Sequence, residues 1–453
     1  CSTKTIDIEK GAEKILVVHT NLFDPMETYQ ISSDLRNFCR TFENDLSKPQ
    51  MNRFEEILHG IIRGQKGILS EVARQNRRKQ KKTVRKQVEQ YSDMLLKFPL
   101  ETMIGRKLNG MKSKIDCHTP LYFDLVDITK KYHKGMEDVG NTWDGSEGIS
   151  GKGYEMVDVT VGITPQESMS LYRRLYSTEC LDYSSQVKEI EKVLDVLISS
   201  WGEIRGTIFV DAGGDNNNLI ELFLKYQAEF AIRMNVNRGK SDRIVINERG
   251  DTMKMMELWA NPQGVTSWQD AKSRKQRKLV RLQWRKVWWE HAGEMIPMYM
   301  AWSHREGDTD PCVFLTSRKV ETDSDAAKIY HQYFLRGGAE ESIFKCHKAK
   351  LGMEKVQLRS FEKVRRLMLI YVLVDQFLAK LQEQSREVSH LLHAFLKEFL
   401  KGTQREITKW AIIDFYHETY AKMEHDIILF KKRFWPPPNP SQLSLFTNPY
   451  KKW

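Results

Sequence analysis

No uninterrupted apolar stretch in this chain approaches the roughly 20 residues needed to cross a bilayer. The opening segment, residues 1–10, has no apolar core of the kind a secretion signal needs. A cytoplasmic protein with no membrane partner is the expectation. Cysteine is scarce: Cys1, Cys39, Cys117, Cys180, Cys312 and Cys346 lie far apart with no CxxC pair. That argues against a zinc ribbon or a disulfide framework and reads as reduced, structural thiols. Acidic charge is also in deficit, with 60 Asp and Glu against 71 Lys and Arg, a formal net charge of +11. The imbalance favours a polyanionic partner, because each neutralised phosphate releases condensed counterions. Alone it does not identify nucleic acid, since many basic proteins bind none.

What is present is enough for a folded protein. At 40% hydrophobic and 29% charged the composition is that of a globular chain, and 453 residues exceed one ordinary core, so two or three units are expected. The first hundred or so residues read as helical. Between Met51 and Ser70, Phe54, Ile57, Leu58, Ile61 and Ile62 recur near the helical period. The run from Arg74 to Lys86 then concentrates positive charge without one carboxylate, Arg77, Arg78, Lys81 and Lys82 among it. Such a run suits a phosphate backbone; its alternative is a solvated helix face or a loop.

From Leu121 the pattern becomes short apolar runs between turn residues. Leu121–Ile128 and Tyr154–Ile163 alternate as strands do, and the glycine-rich residues 145–153 between them must turn, so a hairpin is the simplest connection. A helix is predicted over Gln186–Trp201. Thr207–Asp211, the glycine turn after it and the periodic stretch Leu219–Tyr226 read as strand, turn and helix, with another strand at Ala228–Arg233. Residues 121–238 thus look like an α/β unit on a mixed sheet. Residues 240–320 interleave basic side chains with Trp259, Trp268, Trp284, Trp288, Trp289 and Trp302. Such a cluster stacks bases and holds phosphates, or is a small core with a charged rim. The helical period returns from Ser324, including Arg365–Leu381 and Val388–Leu400, until Trp435–Pro440 ends it.

Metal-assisted phosphoryl chemistry needs carboxylates converging on one point, because two divalent ions about 3.5–4 Å apart must be held and partly neutralised. Asp124 within its strand, Asp211 at its strand end and Glu340 near the start of a helix are the candidates. Taken singly, a strand-end aspartate is more often a turn or cap residue.

Three ordered blocks carry a resemblance. Asp124–Tyr132 followed by Asp144-Gly-Ser and Gly151-Lys-Gly-Tyr154 resembles the first-aspartate block of the DDE transposases of the bacterial insertion sequence 4 family. Phe209–Asp215, with Phe230–Arg238 after it, is similar to the second. Tyr333-Phe-Leu-Arg336, then Glu340, then Lys348, is similar to that family's Tyr, Arg, Glu, Lys signature, and Val313–Ser317 upstream fits its preceding strand. The resemblance spans roughly residues 50–375. It implies an α/β mixed fold, a ribonuclease H-like mixed sheet flanked by helices, with an inserted region and helical N- and C-terminal parts. The corresponding division is a DNA-binding region over 1–115, a catalytic domain over 116–239 and 313–375, an insertion, partly β, over 240–312, and a helical region with an irregular tail over 376–453.

By the same resemblance Asp124, Asp211 and Glu340 hold two Mg²⁺ or Mn²⁺ ions per active site, and Tyr333, Arg336 and Lys348 contact DNA near the reacting phosphate. The implied activity is metal-dependent cleavage at transposon ends followed by strand transfer. The implied partner is double-stranded DNA, bound as a homodimer, in a bacterial cytoplasm and on the nucleoid when DNA is held. The chain departs from the signature where Gly337 and Ala339 replace an aromatic and a bulky aliphatic residue. The spacing also disagrees by one: Arg336 fits Glu340, whereas Lys348 fits Glu341. Glu340 is preferred because the Tyr–Arg spacing anchors it. Asp124 is preferred to Asp127, and Asp215 is expected to cap the following helix.

Overall fold

Amphipathic helices dominate the N-terminal part because their apolar residues recur every three or four positions. The computed structural model describes residues 25–76, 83–130, 133–144, 148–164, 167–235, 244–260, 266–269, 279–308, 310–387, 396–397, 399–400 and 407–434. Helices α1 (Pro25–Arg40), α2 (Lys48–Gly64), α3 (Leu69–Gln75), α4 (Val84–Leu95) and α5 (Leu100–Met111) come first. The expected face of α2 is the buried one: Phe54, Ile57, Leu58, Ile61 and Ile62 are all inaccessible to solvent. A Ser47–Gln50 capping box with Pro49 in the first turn starts this helix, and Gln65 in the left-handed region (φ 50°) stops it.

The two alternating runs form β1 (Pro120–Thr129) and β3 (Ile149–Thr164), paired antiparallel from Leu121↔Val161 to Thr129↔Gly153. Their connection is not the simple hairpin expected, because it carries β2 (Gly140–Asp144), which pairs with the first residues of β3. Gly153 has partners in both neighbouring strands, and a Cβ there would collide with the Ile128 carbonyl. Strand β4 (Glu167–Tyr176) continues antiparallel to β3. Helix α6 (Gln186–Trp201) then returns the chain, so that β5 (Thr207–Val210) lies parallel to β1. Helix α7 (Asn217–Lys225) does the same for β6 (Phe230–Arg233), parallel to β5.

The insertion is richer in strand than the sequence suggested: β7 (Ile244–Ile246), β8 (Thr252–Lys254), a short α8 (Met255–Ala260), β9 (Thr266–Gln269) and the long hairpin β10 (Leu279–His291) and β11 (Glu294–Arg305). Strand β12 (Cys312–Thr316) follows and pairs with both β11 and β6. All twelve strands thus belong to one mixed sheet, ordered β2-β3-β1-β5-β6-β12-β11-β10-β7-β8, with β4 on β3 and β9 on β10. The tryptophans whose side chains are described go mainly to packing. Trp289 and Trp302 are buried, and the indole N–H groups of Trp289 and Trp284 donate to Glu221 and Asp323 at 3.1 and 3.2 Å. For these residues the small-core reading holds.

Helix α9 (Asp323–Ala339), opened by a Thr322–Asp325 capping box, runs without a break into a π-helix over Glu340–Lys350. Helices α10 (Phe361–Gln384) and α11 (Lys409–Phe434) complete the described chain. The middle of α10 is apolar all round and buried all round, as a core helix is. Among the described residues no helix is long and apolar enough to cross a membrane. The five cysteines described, all but Cys1, are free thiols. The architecture is therefore an α/β one, a mixed parallel and antiparallel sheet flanked by helices.

Candidate active site

Strand side chains alternate between faces, which decides what Asp124 meets. Tyr122 packs in the cluster that joins the sheet to α9, with Phe209, Ala231, Phe314, Ile329 and Tyr333, whereas Phe123 belongs to the larger core on the other side. Asp124, two residues beyond Tyr122, therefore shares the α9 face; Asp211, two beyond Phe209, does the same. Because Tyr122 stands beside Phe209 in the parallel pairing of β1 and β5, the two aspartates are brought together at the carboxyl end of β5.

The third participant comes from α9. Ile329, Tyr333 and Arg336 recur at helical spacing, so a helix that buries the first two delivers the guanidinium to the aspartates. Arg336 Nε donates to Asp124 Oδ1 at 2.6 Å, and Nη2 donates to Asp211 Oδ2 at 3.2 Å. The side chain of Asp124 is 5% exposed, that of Arg336 19% and that of Asp211 42%, so a buried acid and a solvent-facing one share a single cation. Tyr333 lies beneath: its ring is 6.0 Å from the Arg336 guanidinium, and Arg233 Nη1 donates to its hydroxyl at 3.5 Å. Tyr122 fixes the helix by donating to the Gln332 carbonyl at 2.7 Å.

Burial raises the Asp124 carboxyl to about 6; Arg336 opposes the rise, and the charges of Asp158 and Asp211 add to it. For Arg336, burial works against the charge, but Asp124 and Asp211 outweigh it and hold the guanidinium firmly protonated. Asp124 Oδ2 is buried with no hydrogen-bond partner. An unpartnered carboxylate oxygen beside a second carboxylate is a donor set that suits a hard divalent cation. In this arrangement Arg336 supplies the neutralising charge.

Glu340 is not with them. It lies at the far end of α9, not near the start of a helix, and is exposed. Among the described residues no three His, Cys, Asp or Glu side chains cluster closely enough to hold a metal. The π-helix that begins at Glu340 supplies a physical reason for the spacing that disagreed by one. Such a helix takes about one more residue per turn than an α-helix, so a single segment can satisfy one spacing before the change and the other after it. Gly337 and Gly338 immediately precede it, each unfavourable by about 1 kcal/mol relative to Ala in a helix interior. Lys348, within the π-helix, lies 3.0 Å from Glu354 Oε1 and 3.8 Å from Asp127 Oδ2, so it is tied to Asp127 rather than to Asp124.

Two expectations are corrected. Asp215 does not cap α7: Asn216 does, accepting from the Asn218 N–H at 2.9 Å, and Asp215 accepts from Asn235 N–H instead. Asp211 is itself a cap, accepting from the Gly213 N–H at 2.9 Å, so the turn role and the site role coexist in one side chain. The basic residues Arg77, Arg78, Lys81 and Lys82 lie outside the described residues.

The sequence reading missed the buried ionic layer next to the site. Asp158, the partner of Asp124 in the β1–β3 register, takes hydrogen bonds from Arg173 and the Ser170 hydroxyl, both at 3.1 Å. Asp375 of α10 accepts from the Ser170 N–H at 2.8 Å and from Lys409 of α11 at 2.7 and 2.9 Å, with His347 Nε2 at 3.3 Å. The only signal was a charge inside apolar runs such as Val157-Asp-Val159, and its partners depend on the register. No protein-family model matches this chain, and no curated protein matches it.

The arrangement predicts a pH-dependent cost for losing the guanidinium. Replacing Arg336 by Gln leaves two neighbouring carboxylates, one buried, with nothing between them. Below its raised pKa Asp124 takes a proton in place of the lost cation; above it, it cannot. Thermal melts should show R336Q destabilised clearly at pH 8 and much less at pH 5. An equal loss at both would show that the aspartates do not depend on Arg336.

Proposed function

We propose that this protein is a DNA transposase of the DDE kind, similar to the insertion sequence 4 family, that cleaves transposon ends and joins them to target DNA with Mg²⁺ or Mn²⁺. The observation that carries the reading is the meeting of Asp124 and Asp211 on neighbouring parallel strands beneath Arg336. The strand order β4-β3-β1-β5-β6, antiparallel then parallel with helices on both faces, supports a ribonuclease H-like core.

Asp124 and Asp211 would hold the metal, with Glu340 or Glu341 as the third carboxylate. A divalent ion there supplies the charge that activates an attacking hydroxyl and steadies the leaving 3′ oxygen. The chain's own groups do the rest. Arg336, displaced from the aspartates by the incoming cation, presents a planar fork that matches two phosphate oxygens. Tyr333 limits its swing from below, Lys348 adds a mobile positive charge, and burial of Asp124 keeps one side of the site dry. Double-stranded DNA held by a pair of protomers is the proposed assembly.

The exposed position of Glu340 favours, as a second reading, a DNA-binding protein with this fold that does not cut. Incubation with end-containing DNA and Mg²⁺ separates the two, since a binder retards the DNA without nicking it; labelled target DNA then separates transposase from simple nuclease. In the same assay Glu340→Gln and Glu341→Gln should give one active and one inactive variant. Two fully active variants place the third carboxylate elsewhere.

A further inference from the structure

Away from the carboxylates, α5, α10, the residue after α1 and the start of β4 enclose a cavity of about 420 Å³. Small-molecule sites run from roughly 300 to 1,000 Å³. One wall is apolar, with Met111, Met169 and Ala379. The remainder is cationic, and Glu383 is the one carboxylate in the lining. Two of the cations are already neutralised, Arg106 by Asp45 at 2.7 Å and Lys114 by Glu383 at 3.6 Å. Lys107 is held differently. Its ammonium lies over the rings of Phe38 and Phe42, 4.7 and 4.8 Å from their centroids. Burial, then the charge of Lys380, pulls it down to about 8, and the Cys39 thiol works weakly the other way. Two lysines that repel each other inside a cavity are stabilised by an anion, and a dianion answers both. Gln376, almost wholly buried in the same lining, donates its amide to the Ser170 carbonyl at 3.3 Å and leaves Oε1 without a partner.

We infer that this cavity binds a small organic phosphate of nucleotide size, with the phosphate taken by Lys107 and Lys380, the body against the methionines, and a donor group on Gln376 Oε1. Each part excludes a simpler ligand. An inorganic anion leaves the apolar wall and Oε1 unsatisfied; a neutral nucleoside leaves the lysines facing each other. The inference does not rest on the transposase reading. A free nucleotide and the phosphorylated end of a DNA strand offer the same chemistry.

Calorimetric titration of the full chain tests it, with dAMP, deoxyadenosine, inorganic phosphate and a 5′-phosphorylated trinucleotide as probes. Binding of dAMP is expected, with deoxyadenosine and phosphate each weaker by about tenfold or more. Lys380→Met, half-exposed and apolar-tolerant, should weaken dAMP by about tenfold or more without moving the melting temperature. Gln376→Leu should weaken dAMP and leave phosphate binding unchanged. Near pH 8, binding should take up as much as about half a proton as Lys107 regains its charge, and near pH 6 essentially none. A trinucleotide that binds more tightly than dAMP assigns the cavity to DNA ends, and one that binds more weakly assigns it to free nucleotides. No heat from any probe, equal affinity for phosphate and dAMP, or wild-type affinity in K380M overturns the inference.

Discussion

Asp211→Asn should lose cleavage by about a thousandfold or more while binding DNA as the unaltered protein does. The magnitude follows from what a metal ligand contributes, several kcal/mol at the transition state, with each 1.4 kcal/mol a factor of ten. The choice of asparagine matters. Asp211 caps the turn that follows β5 through the Gly213 N–H, and asparagine keeps an oxygen for that bond. Alanine would remove the cap too, at about 1 kcal/mol, and would confuse a folding defect with a chemical one. The side chain is among the more exposed of the site, so the fold should not suffer. Gel shifts at two salt concentrations check the binding, and a plasmid-nicking assay with Mg²⁺ checks the chemistry. Nicking by D211N within tenfold of the unaltered protein would falsify its role as a ligand.

The second large effect lies in the interior. Lys409→Met removes the cation that Asp375 holds in a site closed to solvent. Breaking a buried pair from one side costs about 3–5 kcal/mol, because the remaining charge has no compensation. Asp375→Asn in the same chain should recover part of that loss, since asparagine can still accept from the Ser170 N–H without carrying charge. Burial alone would raise the Asp375 carboxyl; Lys409, with His347, holds it well below the usual carboxylate range instead. Its contribution is therefore present above about pH 4 and is lost as the pH falls further. In K409M the carboxylate accepts a proton readily, so the penalty should shrink as the pH is lowered from 8 to 5. His347 works in a higher window: burial pushes its pKa down to about 4 from 6.5. The unfolded chain binds that proton first, and stability should fall from pH 6.5 to 4. Denaturant melts of K409M, D375N and the double variant across this range provide the check; additive losses in the double variant would show that the two residues do not act as a pair.

Much of the fold was legible because it rests on periodicity. The α2 face, the bounds of α6 and the strands β1, β3, β5 and β6 followed from apolar spacing alone. Of the candidate site, Asp124, Asp211 and Arg336 were identified and do meet. Their mutual geometry was beyond reach, since it comes from the β1–β5 register, which local spacing does not set. Glu340 shows a different limit. Four residues after Arg336, it would share a face with it in a regular α-helix; the π-helix that starts at Glu340 alters that pattern, and the one-residue disagreement in spacing was its only trace. The ionic layer of Asp158, Arg173, Asp375 and Lys409 was invisible for a third reason. Each charge sits in an apolar run, and only the packing of α10 and α11 against β4 shows that they neutralise one another.

Because β12 joins β6 on one edge and β11 on the other, the strands of the insertion are stitched to those bearing the aspartates by backbone amides rather than by a hinge. A load applied to the outer hairpin has no soft joint in which to dissipate before it reaches Asp211. Whatever grips that hairpin from outside therefore pulls directly on the strand next to β5.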